Sequence, residues 1–205
     1  MSLKRKIITN LFIIGVILTV GLLLFHDGIL SFISKAANAP VFTANTAAKG
    51  VALEIAFCDD ADTEKCIDIL FEQKVEATLF FCPRVMEEHA DAVEKAKTLG
   101  FHTGLYDCGK HTDEKGVEAS GDILVLSDCA WNTDEDVWGA NPQICWSLDA
   151  NKALEYYDME ALSEKFYDDC VVLYRVQKDI DELDDLIKII REKGYNITNV
   201  KSMMK

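Results

Sequence analysis

The chain has 205 residues, room for one domain with a well-filled core. Its 35 acidic side chains outnumber 21 basic ones, for a formal net charge of −14, which excludes a nucleic-acid binder and disfavours anionic headgroups as a partner. A neutral or cationic glycan, a divalent cation or a basic protein is easier to hold, and solubility alone is the plainer reason for such a charge.

Ile7 to Phe25 is a nineteen-residue run without a charged side chain, preceded by Lys4, Arg5 and Lys6. It is long enough to span a bilayer as a helix, and the basic flank predicts a cytoplasmic N-terminus with the remainder outside. A cleaved signal peptide is the competing reading, with small residues at Ala36, Ala37 and Ala39. Those residues lie more than ten positions past the apolar run, and Pro40 follows the best site, so the reading is an uncleaved single-pass anchor in the cell membrane. The chain then divides into a cytoplasmic stub (1–6), an anchor (7–25), a tether (26–48) and a domain (49–205). The first 48 residues carry four basic side chains against Asp27, so the acidity belongs to the domain, at −17.

Within the domain, short apolar runs alternate with helical patterns. Val51–Phe57 predicts a strand and Thr63–Lys74 a helix, capped by Asp62 or Thr63, with Cys66, Ile67, Leu70 and Phe71 on its apolar side. Ala77–Phe81 predicts a second strand, and Met86–Leu99 a second helix closed by Gly100 in the left-handed conformation. His102–Tyr106 is the third strand, Asp122–Ser127 the fourth and Gln143–Leu148 the fifth. Between the last two lies a loop carrying Trp131 and Trp138. Asp158 caps a helix to about Tyr167, and Cys170–Val176 is the sixth strand. Asp179 and Glu182 have the spacing of a capping box before a helix whose stripe is Ile180, Leu183, Leu186, Ile187 and Ile190. Gly194 ends it, and Asn196–Val200 is the seventh strand.

Strand–helix alternation implies a parallel sheet with helices packed outside, either open or closed into an irregular barrel. Function in such folds sits at the C-terminal ends of the strands. Those ends carry Asp59, Asp60, Cys82, Asp107, Asp128, Asp149 and Arg175. The seven cysteines form no C-x-x-C pair, which argues against a zinc ribbon or thioredoxin-like site. Buried free thiols are the default for Cys66, Cys145 and Cys170; one or two disulfides stay open, and sequence does not pair them.

Several segments together resemble the polysaccharide deacetylases, the NodB-homology group of carbohydrate esterases. Thr63–Leu70 (TEKCIDIL) and Lys74–Phe81 (KVEATLFF) resemble the family's first helix and second strand. Leu99–Gly104 (LGFHTG) resembles its G-H-E-I-G turn, Cys145–Asp149 (CWSLD) its late W-S-x-D, and Val171–Arg175 (VVLYR) with Glu192–Thr198 (EKGYNIT) its last strand, helix and strand. The resemblance implies an α/β fold, a distorted seven-stranded (β/α) barrel of the polysaccharide deacetylase type, preceded here by one N-terminal transmembrane helix.

The family's reaction, hydrolysis of an acetamide, uses an aspartate base, and a second aspartate with an H-x-x-x-H pair to bind a divalent metal that activates water. A late histidine protonates the leaving amine, and an arginine orients the base. In this sequence Ala56 falls at the first aspartate, Tyr106 and Lys110 at the histidine pair, and Arg175 at the late histidine. No segment like R-P-P-Y occurs between Gly109 and Cys145. The literal match therefore implies a pseudoenzyme without a metal cofactor, binding a cell-wall glycan or scaffolding an envelope protein. Trp131 and Trp138, which stack on sugars or plug the barrel mouth, and Asp149 and Arg175 are its substrate-binding candidates. A one-residue slip gives the alternative. If Cys58 is an insertion, Asp59 is the catalytic base, and Asp60, Asp107 and His111 hold zinc, manganese or cobalt in an active de-N-acetylase of peptidoglycan or another N-acetylated polysaccharide. The plainer role for Asp59 and Asp60 is to cap the following helix. A purely structural protein-interaction domain is the third reading.

Overall fold

The computed structural model describes residues 49–58, 62–108, 124–127, 142–176 and 180–203. The chain divides into two units, 1–39 and 40–205, and all described residues belong to the second. Among them no helix is long and apolar enough to cross a membrane; the run expected to do so, 7–25, lies outside them.

Among the described residues eight strands form one parallel sheet: β1 (Gly50–Phe57), β2 (Thr78–Phe81), β3 (His102–Asp107), β4 (Val125–Ser127), β5 (Gln143–Ile144), β6 (Leu148–Asp149), β7 (Cys170–Arg175) and β8 (Asn196–Thr198). Seven run in the order β5-β4-β3-β2-β1-β7-β6 as a curled half-barrel. β8 pairs with the first residues of β1, Gly50 to Ala52, and β2 with the last, Glu54 to Phe57. Every residue of β1 is buried, as expected for a parallel strand covered on both faces.

The fifth expected strand, Gln143–Leu148, is two strands. Gln143 and Ile144 pair with Val125 and Leu126 at one end of the sheet, whereas Leu148 and Asp149 pair with Val172 and Leu173 at the other. Ser147 stands at the step. Its Oγ donates to Val171 O at 3.1 Å and accepts from Val171 N at 2.8 Å, and its own N–H donates to Val171 O at 2.9 Å, so side chain and backbone together tie this segment to β7. Gln143 to Asp149 thus carries the chain from one end of the curled sheet to the other.

The helices differ from expectation mainly at their ends. α1 (Thr63–Glu72) is capped by Asp62, which accepts from Lys65 N, and buries Cys66, Ile67 and Leu70 as its periodicity requires. The second expected helix starts three residues early, because Pro83 fixes the first-turn φ, and it divides at His89 into α2 (Pro83–Glu88) and α3 (Ala90–Thr98). Gly100 follows with φ +88°. Asp149 caps a short, unexpected α4 (Ala150–Leu154), and Asp158 caps α5 (Met159–Ser163), shorter than the expected run to Tyr167. In α6 (Asp181–Glu192) the stripe Leu183, Leu186, Ile187 and Ile190 is buried. Ile180, buried, stands at its N-cap; Asp179 of the expected capping box lies outside the described residues. Burial of the isoleucine sets the entry. A single turn, α7 (Val200–Met203), follows β8, anchored by Val200 N–H donating to the buried Thr78 hydroxyl at 3.0 Å.

Candidate functional site

Strand register determines what faces the inside of the curl. Ala56 pairs with Phe80 on one side and Arg175 on the other, and Phe80 pairs with Gly104. Registered partners in a parallel sheet share a face, and alternate residues share it along a strand. Glu54, Ala56, Phe80, Gly104, Tyr106, Asp149 and Arg175 therefore belong to one inner face. Gly104 is needed there: a Cβ would lie 2.6 Å from both Leu124 O and the Phe80 ring.

At the C-terminal rim of this face the side chains form a bonded group. Arg175 Nε donates to the Tyr106 hydroxyl at 2.9 Å, and its Nη1 meets Asp149 Oδ2 at 2.5 Å. The Trp146 ring stacks on the guanidinium at 5.0 Å. The Asp149 side chain is only 8% exposed and Arg175 23%, so this is a largely desolvated pair, made tolerable by the additional bonds. The other oxygen of Asp149 accepts from Lys152 N at 3.1 Å, which fixes the carboxylate at the start of α4. Asn151 binds the Arg175 backbone on both sides, accepting from its N–H at 2.6 Å and donating to its carbonyl at 3.0 Å. A guanidinium with a counter-ion, a phenol and a flanking indole can bind an anionic or polyhydroxylated group.

One layer below lies Glu54, 0% exposed. Thr78 and Leu173 flank it in register, and neither carboxylate oxygen has a partner among the described residues. Burial pushes its pKa up to about 8, so Glu54 is a neutral acid at pH 7.

The structure brings together two of the expected site residues, Asp149 and Arg175, and adds Tyr106, Trp146 and Asn151. Asp107 ends β3, where registered pairing with Ser127 puts it on the opposite face from Tyr106. Asp59, Asp60, His111, Trp131 and Trp138 lie outside the described residues, as does Lys110. Among the described residues no group of three His, Cys, Asp or Glu side chains is placed to hold a metal ion. Sequence reasoning missed Glu54 although the signal was present, a carboxylate inside the otherwise apolar VALEIAF. It missed Asn151 for want of any signal.

No protein-family model and no curated protein matches the sequence. Solved structures do. A family 4 carbohydrate esterase pseudoenzyme from Bacillus anthracis superposes with a TM-score of 0.63 at 18% identity, over 82% of this chain and 69% of that one. A mutant of that pseudoenzyme has restored enzymatic activity. The chitin deacetylase of the fungus Colletotrichum lindemuthianum gives 0.64 at 16% identity, over 81% and 91%. PdaA of Bacillus subtilis, a family 4 carbohydrate esterase, gives 0.60 at 12%, over 83% and 86%. This chain has the polysaccharide deacetylase fold. On the inner face stand Ala56, Tyr106 and Arg175, the residues that the family resemblance would set at the base, a metal-ligating histidine and the acid. The last two are bonded to each other.

Proposed function

We propose that this chain is a membrane-tethered, extracytoplasmic pseudoenzyme of the deacetylase fold that binds cell-wall glycan without metal-dependent deacetylation. The observation that carries the reading is the Tyr106–Arg175–Asp149 group. A permanently charged guanidinium stands where the family's proton donor would be, and its charge repels a divalent cation brought to the same rim. Ala56, the registered neighbour of Arg175, offers a methyl group in place of a base. Trp146, half-buried beside Arg175, supplies an aromatic face of the kind that stacks on sugar rings. An envelope protein is the other partner this surface would suit.

The active alternative, with Asp59 as base and Asp60, Asp107 and His111 holding zinc, manganese or cobalt, asks Asp107 to turn inward from the outer face of β3. It is tested together with the first reading. The full chain is purified in mild detergent without chelator, its zinc, manganese and cobalt are quantified beside His111→Ala, and acetate release from acetylated chito-oligosaccharides and binding to peptidoglycan are measured. Binding to peptidoglycan with substoichiometric metal and no acetate release is the expected result. Near-stoichiometric metal that is lost in His111→Ala, with acetate released, would replace the proposal by the enzyme. Absence of both metal and glycan binding would leave the scaffold reading.

A further inference from the structure

Where β2 and β3 begin, at the end of the strands away from the Arg175 group, a pocket of about 460 Å³ opens beside the C-terminal ends of α1 and α3. Phe71 and Phe101 give it apolar walls, and Lys74, Glu76, His102 and Asn199 bring polar groups to it. α1, α3 and α6 all close with the same pair of backbone bonds. After α1, Val75 N–H donates to Leu70 O at 2.9 Å and Lys74 N–H to Phe71 O at 3.0 Å. Phe101 and Gly100 make the equivalent bonds to Ala96 and Lys97 after α3, as Tyr195 and Gly194 do to Ile190 and Arg191 after α6. This motif sets one residue in the left-handed region. Glycine fills that place after α3 and α6, with φ +88° and +79°, whereas Lys74 fills it after α1, with φ +53°. A residue with a side chain is strained there, and this side chain lines the pocket.

Lys74 and Glu76 are exposed on either side of the buried Val75. Among the described residues neither charge is in an ion pair, with the other or with a third side chain. Asn199 spends its Oδ1 on Ser202 N–H at 2.8 Å, which leaves Nδ2 as its donor. His102 is registered on Thr78, whose hydroxyl holds Val200 N–H, so it stands on the Asn199 side. Unlike charges that line one pocket without meeting each other suit a ligand that carries both. The two flank a single residue, so the headgroup they suit is compact. We propose that this pocket binds a free α-amino acid with an apolar side chain, in which ammonium and carboxylate share one carbon. The carboxylate meets Lys74 and the Asn199 amide, with His102 as a further donor. The ammonium meets Glu76, and the side chain lies against the Phe71 and Phe101 rings. The volume falls within the range of small-molecule sites.

The test is titration calorimetry of the full chain in mild detergent with L-phenylalanine, L-leucine and L-methionine, each to about 10 mM, which fills even a millimolar site. Saturable one-to-one binding of at least one of them is expected. Removing one charge from that ligand, as its carboxamide or its N-acetyl derivative, should weaken binding at least about tenfold, the scale of one hydrogen bond to a charged group. Lys74→Gly and Glu76→Gln should weaken the unmodified ligand to the same degree. Lys74→Gly separates binding from folding, because glycine relaxes the left-handed turn. Its melting temperature should match or exceed that of the wild type while affinity falls. No saturable binding by any of the three amino acids would overturn the proposal. So would equal affinity for the carboxamide or the N-acetyl derivative, or unchanged affinity in either variant.

Discussion

Replacing Glu54 with Gln should stabilise the protein by an amount that grows with pH. In the folded state this carboxyl is fully buried with no partner among the described residues, and burial pushes its pKa up to about 8, against 4.5 when exposed. A group whose folded pKa is raised favours the fold fully below its unfolded pKa. That support is lost as pH climbs to the folded value, because the unfolded chain releases a proton that the native state retains. Each pH unit in this interval costs about 1.4 kcal/mol, so the loss across the interval is on the order of 5 kcal/mol. Urea unfolding of the full chain and Glu54→Gln, run in parallel from about pH 5 to 8.5, isolates this contribution because other titrating groups are common to both. Near pH 5 the two should differ by less than about 1 kcal/mol, and by pH 8 the Gln variant should lead by several. Glu54→Met should add a pH-independent gain of about 1 to 3 kcal/mol by removing the unsatisfied polar group altogether. A gap between wild type and Glu54→Gln that stays constant across this range would refute the reasoning and place a compensating cation beside Glu54.

Three further outcomes follow from the inner face. Asp149→Asn should cost about 2 to 4 kcal/mol in the same unfolding assay, below the full value for a buried pair because Arg175 retains some solvent contact; an unchanged midpoint would mean that the pair contributes nothing. Gly104→Ala should destabilise by about 1 to 3 kcal/mol or more, since one of the two clashes is with backbone that cannot rotate away. Prolonged chelation should leave the melting temperature within about 1 °C of the untreated chain if Arg175 occupies the metal's place; a larger drop would favour the metal-bound alternative.

The alternation of apolar runs and amphipathic helices made the parallel architecture legible, and the stripe on α6 was readable residue by residue because packing on one face imposes a 3.6-residue period. The break at Ser147 was not legible. QICWSL has the composition of one strand, and only a tertiary partner, the Val171 backbone, ties Ser147 to β7 rather than to the end of the sheet where Ile144 pairs. At the site, Tyr106 and Arg175 could each be singled out in the sequence, yet their bond to each other depends on β3 and β7 being brought together across β2 and β1. No local pattern encodes that.

The stretch from Gln143 to Asp149 has a consequence for solubility. A sheet end normally presents a row of open amides and carbonyls that can recruit another chain. Here each end is a strand of two residues, β5 or β6, and both belong to the same short passage of backbone. A foreign strand would find almost nothing to pair with at either end. That protection arrives late in assembly, because Ser147 and Leu148 dock only when β7 is in place. A nascent chain that has not yet reached Cys170 leaves β1 open along the side that β7 will occupy. The interval before β7 docks is when this molecule is most exposed to mispairing.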